Sequence, residues 1–339
     1  MSGEWRIGVD IGGTFTDIVL LGPEGRLSVR KVSSSVDDYA RAIVEGLAVA
    51  LDEAGLTAAD VADIRHGATV ASTAILERKG ARVGLIGTVG FRDVLEIRTL
   101  RMPRLYDLAW EKPKPLVPRR LRVTVPERID ANGAIVTPLD MEAAAVAIDA
   151  LVAKGVDAIA VALINAYANP AHEQALKALL AERAPGVASC ISTDVLPEIR
   201  EYERTSTTVV NCYVLPVVGA YLKSLQAGLS AAKVDAPLSL MQSSGGLTPA
   251  DAAARLPVHI IESGPAGGVV GAQALAEPLG ESSIVSFDMG GTTAKAALVI
   301  DGRAERAEEL QVGGEAIQAS RLLTGQGYSV KTRAIDLAE

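Results

Sequence analysis

The residues best suited to chemistry lie in two copies of one short motif, Asp-x-Gly-Gly-Thr. The first copy is Asp10-Ile-Gly-Gly-Thr-Phe-Thr-Asp17, and the second is Asp288-Met-Gly-Gly-Thr-Thr293. A Gly-Gly turn lets the backbone adopt positive φ and lets a phosphate approach bare N–H groups, while each aspartate can hold a magnesium ion. The pair predicts two turns that close on one polyphosphate. The phosphate-binding candidates are Gly12, Gly13, Thr14, Thr16, Gly290, Gly291, Thr292 and Thr293.

A third stretch, Glu262-Ser-Gly-Pro-Ala-Gly-Gly-Val-Val-Gly271, comes shortly before the second motif. Its Gly-x-x-Gly-Gly-x-x-Gly spacing differs from the Gly-x-Gly-x-x-Gly of dinucleotide-binding turns, which argues against that function. Glu262 could be a site carboxylate or simply the N-cap of the following helix. Lys295, in the strand after the second turn, is a candidate for contacting phosphate as a point charge.

The segments around these motifs predict an α/β fold with mixed sheets. Residues 5–33 fit a β-meander, residues 37–54 have helical periodicity, and residues 202–232 fit one long helix bent at Pro216. Residues 258–262 fit a strand, and Ser263-Gly-Pro265 begins a helix that runs to Ala276. Residues 98–118 are predicted to form a long surface loop. The motif pair is the only repeat signal, and it predicts two related sheet domains.

Composition limits the classes of function. The chain has 339 residues, 49% apolar and 4% aromatic, with a formal net charge of −8. Charged runs such as Arg119-Arg120-Leu-Arg122 are short, so they predict solvated surface rather than a nucleic-acid site. The polar start and the lack of an apolar run near 20 residues predict no signal peptide and no membrane span. Cys190 and Cys212 then fit free thiols of a cytoplasmic protein.

The order of a phosphate turn, an acidic residue opening a helix, and a second phosphate turn resembles the superfamily of sugar kinases, heat-shock chaperones and actin. A finer resemblance, over essentially the whole chain, is to the hydantoinase A/5-oxoprolinase family, with its related acetone and acetophenone carboxylase subunits. Besides the two motifs and the Glu262 stretch, it is carried by residues 66–80 (His66-Gly-Ala-Thr-Val-Ala-Ser-Thr), 90–97, 197–206 (Pro197-Glu-Ile-Arg-Glu-Tyr-Glu-Arg) and 242–246.

The resemblance implies a two-lobed actin-like ATPase (ribonuclease H-like) fold, with a first lobe over residues 1–195 and an incomplete second lobe over residues 196–339. It implies ATP and Mg²⁺ as cofactors, with Asp10 and Asp288 near the metal and Glu262 beside the γ-phosphate. It also assigns nucleotide contacts to the glycines of the third stretch: Gly264, Gly267 and Gly268. Relatives usually continue beyond the second turn, so a fragment or a split subunit is expected.

The activity implied is ATP-dependent phosphorylation of the carbonyl oxygen of a lactam or imide before ring opening, within a hetero-oligomer containing a hydantoinase B-type subunit. Two alternatives stay open: a ketone carboxylase subunit, and a nucleotide-binding module without turnover. His66 is a further catalytic candidate facing the substrate, although a lone histidine near such a turn is as often structural. Arg92, Asp93 and Glu96 could contact substrate or form surface pairs four residues apart.

Overall fold

The computed structural model describes residues 4–35, 38–99, 106–290, 294–313 and 327–338. The described chain divides into two compact units. Unit 1 comprises residues 1–73, 217–308 and 333–339, and unit 2 comprises residues 74–216 and 309–332. The predicted lobe boundary near residue 195 stays a prediction.

The helices are α1 (Tyr39–Glu53), α2 (Val70–Leu76), α3 (Val94–Ile97), α4 (Met141–Ala153), α5 (Ala171–Arg183), α6 (Ser192–Val195), α7 (Glu201–Ala231), α8 (Ala250–Arg255) and α9 (Ser263–Ala276). The strands are β1 (Trp5–Ile11), β2 (Phe15–Leu21), β3 (Leu27–Ser33), β4 (Val61–Ala68), β5 (Val83–Thr88), β6 (Arg122–Val125), β7 (Arg128–Ile129), β8 (Ile135–Thr137), β9 (Ala158–Ala162), β10 (Ala188–Ile191), β11 (Leu238–Met241), β12 (Leu247–Pro249), β13 (Ile284–Met289), β14 (Ala294–Ile300), β15 (Arg303–Ala304), β16 (Arg306–Ala307), β17 (Leu310–Val312), β18 (Tyr328–Val330) and β19 (Ala334–Ile335).

Unit 1 contains a six-stranded mixed sheet in the order β12-β11-β4-β1-β2-β3. The predicted meander is its β1-β2-β3 edge, which pairs antiparallel, while β4 lies parallel to β1. Alternation along β1 buries Trp5, Ile7, Val9 and Ile11 on one face and leaves Asp10 on the other. A second hairpin, β13-β14, continues into β15 as a three-stranded sheet. The first motif therefore joins two antiparallel strands, as the sequence predicted, and the second motif begins in β13, which pairs antiparallel with β14.

Unit 2 contains a four-stranded parallel sheet in the order β10-β9-β5-β6. Every residue of β5 and β9 is buried, which explains why these strands have continuous apolar sequences without alternation. This unit corrects the surface prediction for Arg122. The side chains of Arg122 and Arg204 are buried, and each donates to carbonyl oxygens, Arg122 to Val117 and Arg204 to Leu163.

Two further predictions differ from the structure. Residues 257–260 form a 3-10 turn where a strand was expected over 258–262. Arg119 pairs with Asp93 and Arg122 pairs with Glu96, so the acidic residues near position 95 pair with a later segment rather than along their own helix. Among the described residues, α7 alone is apolar and long enough to cross a membrane, and 61% of its most apolar window is buried inside the protein, as in a core helix.

Candidate functional site

The first motif forms the turn between β1 and β2. Asp10 lies opposite Asp17 across the two strands, and the turn closes through a hydrogen bond from the Gly12 N–H to the Phe15 carbonyl oxygen, 2.9 Å. Neither Gly12 nor Gly13 has a positive φ. The predicted use of positive φ is therefore wrong for this turn, and the approach of phosphate to its bare N–H groups stays a prediction. A Cβ on Gly12 would lie 3.2 Å from the Phe15 oxygen, so a larger residue there would push that oxygen by a few tenths of an ångström, and the tight turn favours glycine.

Ser34, just after β3, stabilises this turn through two hydrogen bonds. Its hydroxyl donates to the Gly12 carbonyl oxygen (2.8 Å), and its N–H donates to the Thr14 carbonyl oxygen (3.0 Å). Because the Ser34 proton is used on Gly12, the buried Thr16 hydroxyl donates to the Ser34 oxygen at 3.0 Å. The hydroxyl of Thr16, predicted to contact phosphate, is thus buried and hydrogen-bonded within the protein. Sequence reasoning missed Ser34, since it lies outside the motif.

The second motif begins at the end of β13, which pairs antiparallel with β14. Asp288 lies opposite Lys295 in the register of this hairpin, and Gly290 is exposed at the start of the turn. The other candidates of this turn lie outside the described residues: Gly291, Thr292 and Thr293.

Helix α9 begins against the end of β4. The Ser263 hydroxyl accepts from the Ala68 N–H and donates to the Ala68 carbonyl oxygen, both at 2.9 Å. These two bonds fix the first turn of α9 on the six-stranded sheet. Three candidates, Gly264, Gly267 and Gly268, then share one face of the helix because they are spaced three and four residues apart.

These elements enclose one cavity of about 430 Å³. The cavity brings together Asp10 from the first hairpin, Asp288 from the second hairpin, and the glycine face of α9. Asp17, His66 and Gly67 also line it. Aspartates separated by 278 positions in the sequence therefore share one cavity in unit 1.

Two glycines confine the Asp10 carboxylate. A Cβ built on Gly67 would lie 2.7 Å from Asp10 Oδ1, and a Cβ built on Gly264 would lie 2.8 Å from the same oxygen. Real Cβ atoms essentially never approach another heavy atom so closely. Gly67 and Gly264 are therefore needed for the position of the carboxylate, because only bare backbone leaves room for it.

The electrostatics of the cavity make Asp10 easier to protonate than an ordinary aspartate and favour a bound cation. Asp10 keeps an exposed surface, but partial desolvation by the surrounding protein raises its pKa to about 6, and the nearby carboxylates of Asp17 and Asp288 add to the effect, while Lys31 opposes it. Lys31 Nζ itself lies 2.6 and 2.8 Å from the two oxygens of Asp17. The motif aspartate Asp17 and its partner Lys31 were absent from the predicted site.

His66 is buried beside the cavity with both ring nitrogens bonded. Nδ1 lies 3.2 Å from the Val9 carbonyl oxygen, which can only accept, so Nδ1 carries the proton. Nε2 then accepts from the Tyr221 hydroxyl at 2.5 Å. Burial lowers the pKa of His66 to about 4, partly offset by the bond to Val9. In this arrangement neither nitrogen is free to face a substrate, and the catalytic role of His66 stays a prediction.

Glu262 is the N-cap of α9, and its backbone is left-handed with φ 64°. Its carboxylate is buried and forms an ion pair with Lys295 of β14. The structure thus brings these two candidates together and joins them to each other, so that each neutralises the other's charge.

A magnesium site was predicted at Asp10 and Asp288. Among the described residues, no group of three or more His, Cys, Asp or Glu side chains could hold a metal ion by itself. The two aspartates nevertheless line one cavity, and the raised pKa of Asp10 means that a divalent cation there would relieve unfavourable charge. This donor set fits an ion that takes its remaining ligands from phosphate and water.

Comparison with known proteins supports a shared ancestry over both halves of the chain. Residues 6–184 match the model of the hydantoinase/oxoprolinase N-terminal region, and residues 204–339 match that of hydantoinase/oxoprolinase. An uncharacterized protein of Methanocaldococcus jannaschii is 37% identical over 99% of this chain and 49% of its own length. Caprolactamase subunit alpha of Pseudomonas jessenii is 36% identical over 96% of this chain and 48% of its own length. The chain thus spans about half the length of these relatives.

Two solved structures share the fold. The crystal structure of ATP-dependent caprolactamase from Pseudomonas jessenii matches 98% of this chain and 47% of its own chain, with a TM-score of 0.84 and 35% identity. A nucleotide-free acetone carboxylase matches 100% of this chain and 48% of its own, with a TM-score of 0.87 and 24% identity. These matches confirm the predicted fold class, an actin-like ATPase fold of mixed sheets flanked by helices.

Proposed function

This chain belongs to the hydantoinase/oxoprolinase family, and we propose that it is the ATP-binding part of an enzyme that phosphorylates the carbonyl oxygen of a cyclic amide. Phosphorylation turns that oxygen into a leaving group and makes the ring carbon a better electrophile for water. The observation that carries the proposal is the cavity that Asp10, Asp288 and the glycine face of α9 share.

Three backbone elements are suited to hold phosphate. The first Gly-Gly turn is braced by Ser34, and Gly290, the first glycine of the second motif, is exposed after β13. The N-terminus of α9, fixed by Ser263, presents bare helix backbone at Gly264 to the cavity. Unpaired N–H groups at a helix start carry partial positive charge, so they attract phosphate and the negative charge that develops during its transfer.

Asp10 and Asp288 are the residues that would hold Mg²⁺. When bound, the magnesium–ATP complex supplies the phosphoryl group and spreads its charge. Lys31 pairs with Asp17 and so limits the negative charge around Asp10. The Glu262–Lys295 pair contributes by joining the start of α9 to β14. Glu262, which the family resemblance assigns beside the γ-phosphate, is proposed here as a positioning residue. His66, kept neutral by burial and hydrogen-bonded to Tyr221 and Val9, would position β4 beside the cavity.

The proposed substrate is a lactam or a related ring amide, because caprolactamase subunit alpha is similar to this chain. That relative is named as a subunit, which supports a hetero-oligomer, and we propose a hydantoinase B-type subunit as the partner for ring opening. Cys190 and Cys212 are free thiols, in keeping with a cytoplasmic setting.

The test is ATP hydrolysis by the chain together with its partner polypeptides, with caprolactam, 5-oxoproline, hydantoin, or acetone with bicarbonate as substrate. We expect one ring amide to stimulate hydrolysis, and we expect Asp10→Asn and Asp288→Asn each to lower the stimulated rate by about a hundredfold. Asp235→Asn, at an exposed aspartate in the turn after α7, is the matched control and should leave the rate unchanged.

Each other outcome is informative. Stimulation of ATP hydrolysis only by the ketone with bicarbonate would indicate a carboxylase and contradict the proposed hydrolase activity. ATP binding without stimulation by any substrate would support a nucleotide-binding module and contradict the proposed reaction. Equal rates for Asp10→Asn and Asp235→Asn would remove Asp10 from the site.

A further inference from the structure

A row of three charged residues crosses the first hairpin of unit 1. Asp10 of β1 lies opposite Asp17 of β2, and Asp17 lies opposite Lys31 of β3. Directly opposite residues of antiparallel strands project from the same face of a sheet, so the three side chains share the face that borders the cavity. Neighbouring strands are about 4.8 Å apart, so the backbones of Asp10 and Lys31 are separated by only about 10 Å.

The ammonium group of Lys31 lies at the edge of the cavity. Its Nζ is 2.6 Å from Asp17 Oδ1 and 2.8 Å from Asp17 Oδ2, and Asp17 lines the cavity. The same Nζ lies 5.2 Å from the ring centroid of Phe15, the residue that follows the Gly-Gly-Thr turn. Its charge also reaches Asp10, since it opposes the rise in the pKa of Asp10 that desolvation causes. The group therefore lies beside both the motif aspartate and the turn predicted to bind phosphate.

Phosphate in this cavity requires a cation besides the metal ion. The carboxylates of Asp10, Asp17 and Asp288 line the cavity, and the polyphosphate of ATP is itself strongly negative. A Mg²⁺ ion held by Asp10 and Asp288 offsets only part of this charge. Lysine commonly binds phosphate as a point charge on a flexible stem. A lysine that can move at the edge of the cavity would therefore improve the binding of phosphate.

Lys295, which the sequence predicted to contact phosphate, is less free to move than Lys31. It is paired with the buried Glu262, so its departure would leave a buried carboxylate without a partner, which is strongly unfavourable. The side chains of Lys31 and Asp17 are 56 and 38% exposed, so Asp17 stays hydrated when Lys31 leaves. An ion pair of this kind contributes little to stability. Lys31 can therefore change partners at small cost, whereas Lys295 cannot.

Arg65 also lines the cavity, but it lies farther along the sheet. In the pairing of β1 with β4, Arg65 is opposite Gly8, whereas Gly67 is opposite Asp10. Two residues span about 7 Å along a strand, so Arg65 lies away from the row that contains the motif aspartate. Its guanidinium also donates to both carboxylate oxygens of Asp63, at 3.0 and 3.4 Å. Lys31 is therefore the better placed of the two cations.

We propose that Lys31 leaves Asp17 and binds the terminal phosphate of ATP when the nucleotide occupies the cavity. The ion pair with Asp17 keeps the ammonium group at the edge of the cavity until that phosphate arrives. Nζ then donates to phosphate oxygens, and the Asp17 carboxylate is hydrated. This inference rests on the ATP site of the proposed function, but it does not depend on the cyclic-amide substrate.

The test measures equilibrium binding of MgATP and MgADP to the chain assembled with its partner polypeptides, without a cyclic amide. Lys31→Met should weaken MgATP binding at least tenfold and MgADP binding less than threefold, because a charge-assisted hydrogen bond to the terminal phosphate is lost. Lys177→Met is the matched control. Lys177 of unit 2 pairs with Asp194 at 2.6 Å, and their side chains are 53 and 40% exposed. The control should change both dissociation constants less than twofold.

A second pair of variants separates contact with phosphate from neutralisation of Asp17. Asp17→Asn should tighten MgATP binding, since Lys31 no longer has to leave a partner and one carboxylate is removed from the cavity. Adding Lys31→Met to Asp17→Asn should then weaken MgATP binding at least tenfold. If Lys31 served only to offset the charge of Asp17, the double variant would bind MgATP as tightly as Asp17→Asn, and the proposal would be wrong.

The remaining outcomes separate this inference from the proposed function. Equal effects of Lys31→Met and Lys177→Met would overturn the role of Lys31 and leave the ATP site in place. Equal weakening of MgATP and MgADP would assign Lys31 to an inner phosphate and would also overturn it. Failure of the native assembly to bind MgATP would contradict the proposed function together with this inference. Native MgATP binding that Lys31→Met weakens, without stimulation of hydrolysis by any cyclic amide, would support Lys31 and contradict only the proposed reaction.

Discussion

Replacing Gly264 by alanine should damage the site far more than the fold. The added Cβ would lie 2.8 Å from Asp10 Oδ1, so the two atoms cannot both keep their positions. The clashing atom is the end of a side chain in an accessible cavity, not backbone. The cheapest relaxation is therefore a rotation of the Asp10 carboxylate away from α9.

The magnitudes follow from this relaxation. Alanine gains up to about 1 kcal/mol over glycine in helix propensity, which offsets the cost of turning one carboxylate, so the free energy of unfolding should change by less than about 1 kcal/mol. A displacement of a catalytic group by roughly 1 Å costs on the order of a hundredfold in rate. Gly264→Ala should thus reduce magnesium-dependent ATP binding and hydrolysis at least tenfold without lowering the melting temperature appreciably.

The assay pairs thermal melting with titration of MgATP, using Gly271→Ala as the matched control. Gly271 lies in the same helix and is exposed, and a Cβ there meets nothing within 4 Å among the described residues. That control should stabilise the chain by about 0.5–1 kcal/mol and bind MgATP like the native chain. If Gly264→Ala bound MgATP within twofold of Gly271→Ala, the inference that bare backbone at position 264 sets the place of Asp10 would be refuted.

Four further predictions concern the site and the residues that support it. Ser34→Ala should lower the free energy of unfolding in a denaturant titration by about 1–3 kcal/mol, because the Gly12 carbonyl oxygen and the Thr16 hydroxyl lose their partner. The control Ser33→Ala, at the exposed neighbouring residue, should lower it by less than about 0.5 kcal/mol. Burial lowers the pKa of His66 from 6.5 to about 4, so its neutral form contributes stability that is complete above pH 6.5 and is lost toward pH 4, by on the order of 3 kcal/mol. Thermal melts of His66→Gln and the native chain across this pH range measure that loss. The same dependence of melting temperature on pH in both proteins would contradict it. Tyr221→Phe should cost about 1–3 kcal/mol at pH 7, since the His66 Nε2 acceptor loses its donor, and an unchanged melt would contradict that bond. For Asp10 the effect of pH on stability has the opposite sign, because its pKa in the folded chain is raised from 3.8 to about 6. Its negative charge therefore destabilises the fold above pH 6 and not below pH 4. Asp10→Asn should raise the melting temperature at pH 7 and lose that gain at pH 4.

Periodicity predicted the elements well where one face of a segment is buried. The meander of β1 to β3, helix α1, the long helix α7 and the start of α9 at Ser263 all agree with the structure. The strand predicted over residues 258–262 is wrong, since the segment is a 3-10 turn. A short apolar run is compatible with any buried backbone, and Pro257 at its start favours a turn that periodicity cannot detect.

Charged side chains were harder to place from sequence. Arg122 stands in a charged stretch that predicts solvent exposure, yet it is buried and donates to a backbone carbonyl oxygen, and so does the buried Arg204 of α7. The partner of Arg204, Leu163, is 41 positions away, so no local pattern could reveal it. An arginine is stable in the interior only when such acceptors surround it, and tertiary packing alone provides them.

The sequence by itself determined the chemistry available to this protein: two aspartates before Gly-Gly-Thr turns, a glycine-rich helix start, and the family to which they belong. It could do so because residue type and local spacing set what a turn or a helix end can bind. Only the tertiary structure decided which groups are free to act. It joined Glu262 to Lys295, engaged both nitrogens of His66, and confined Asp10 between two glycines from distant segments. Hydrogen bonds and close approaches between residues far apart in sequence depend on how the elements pack, and that packing is absent from any local pattern.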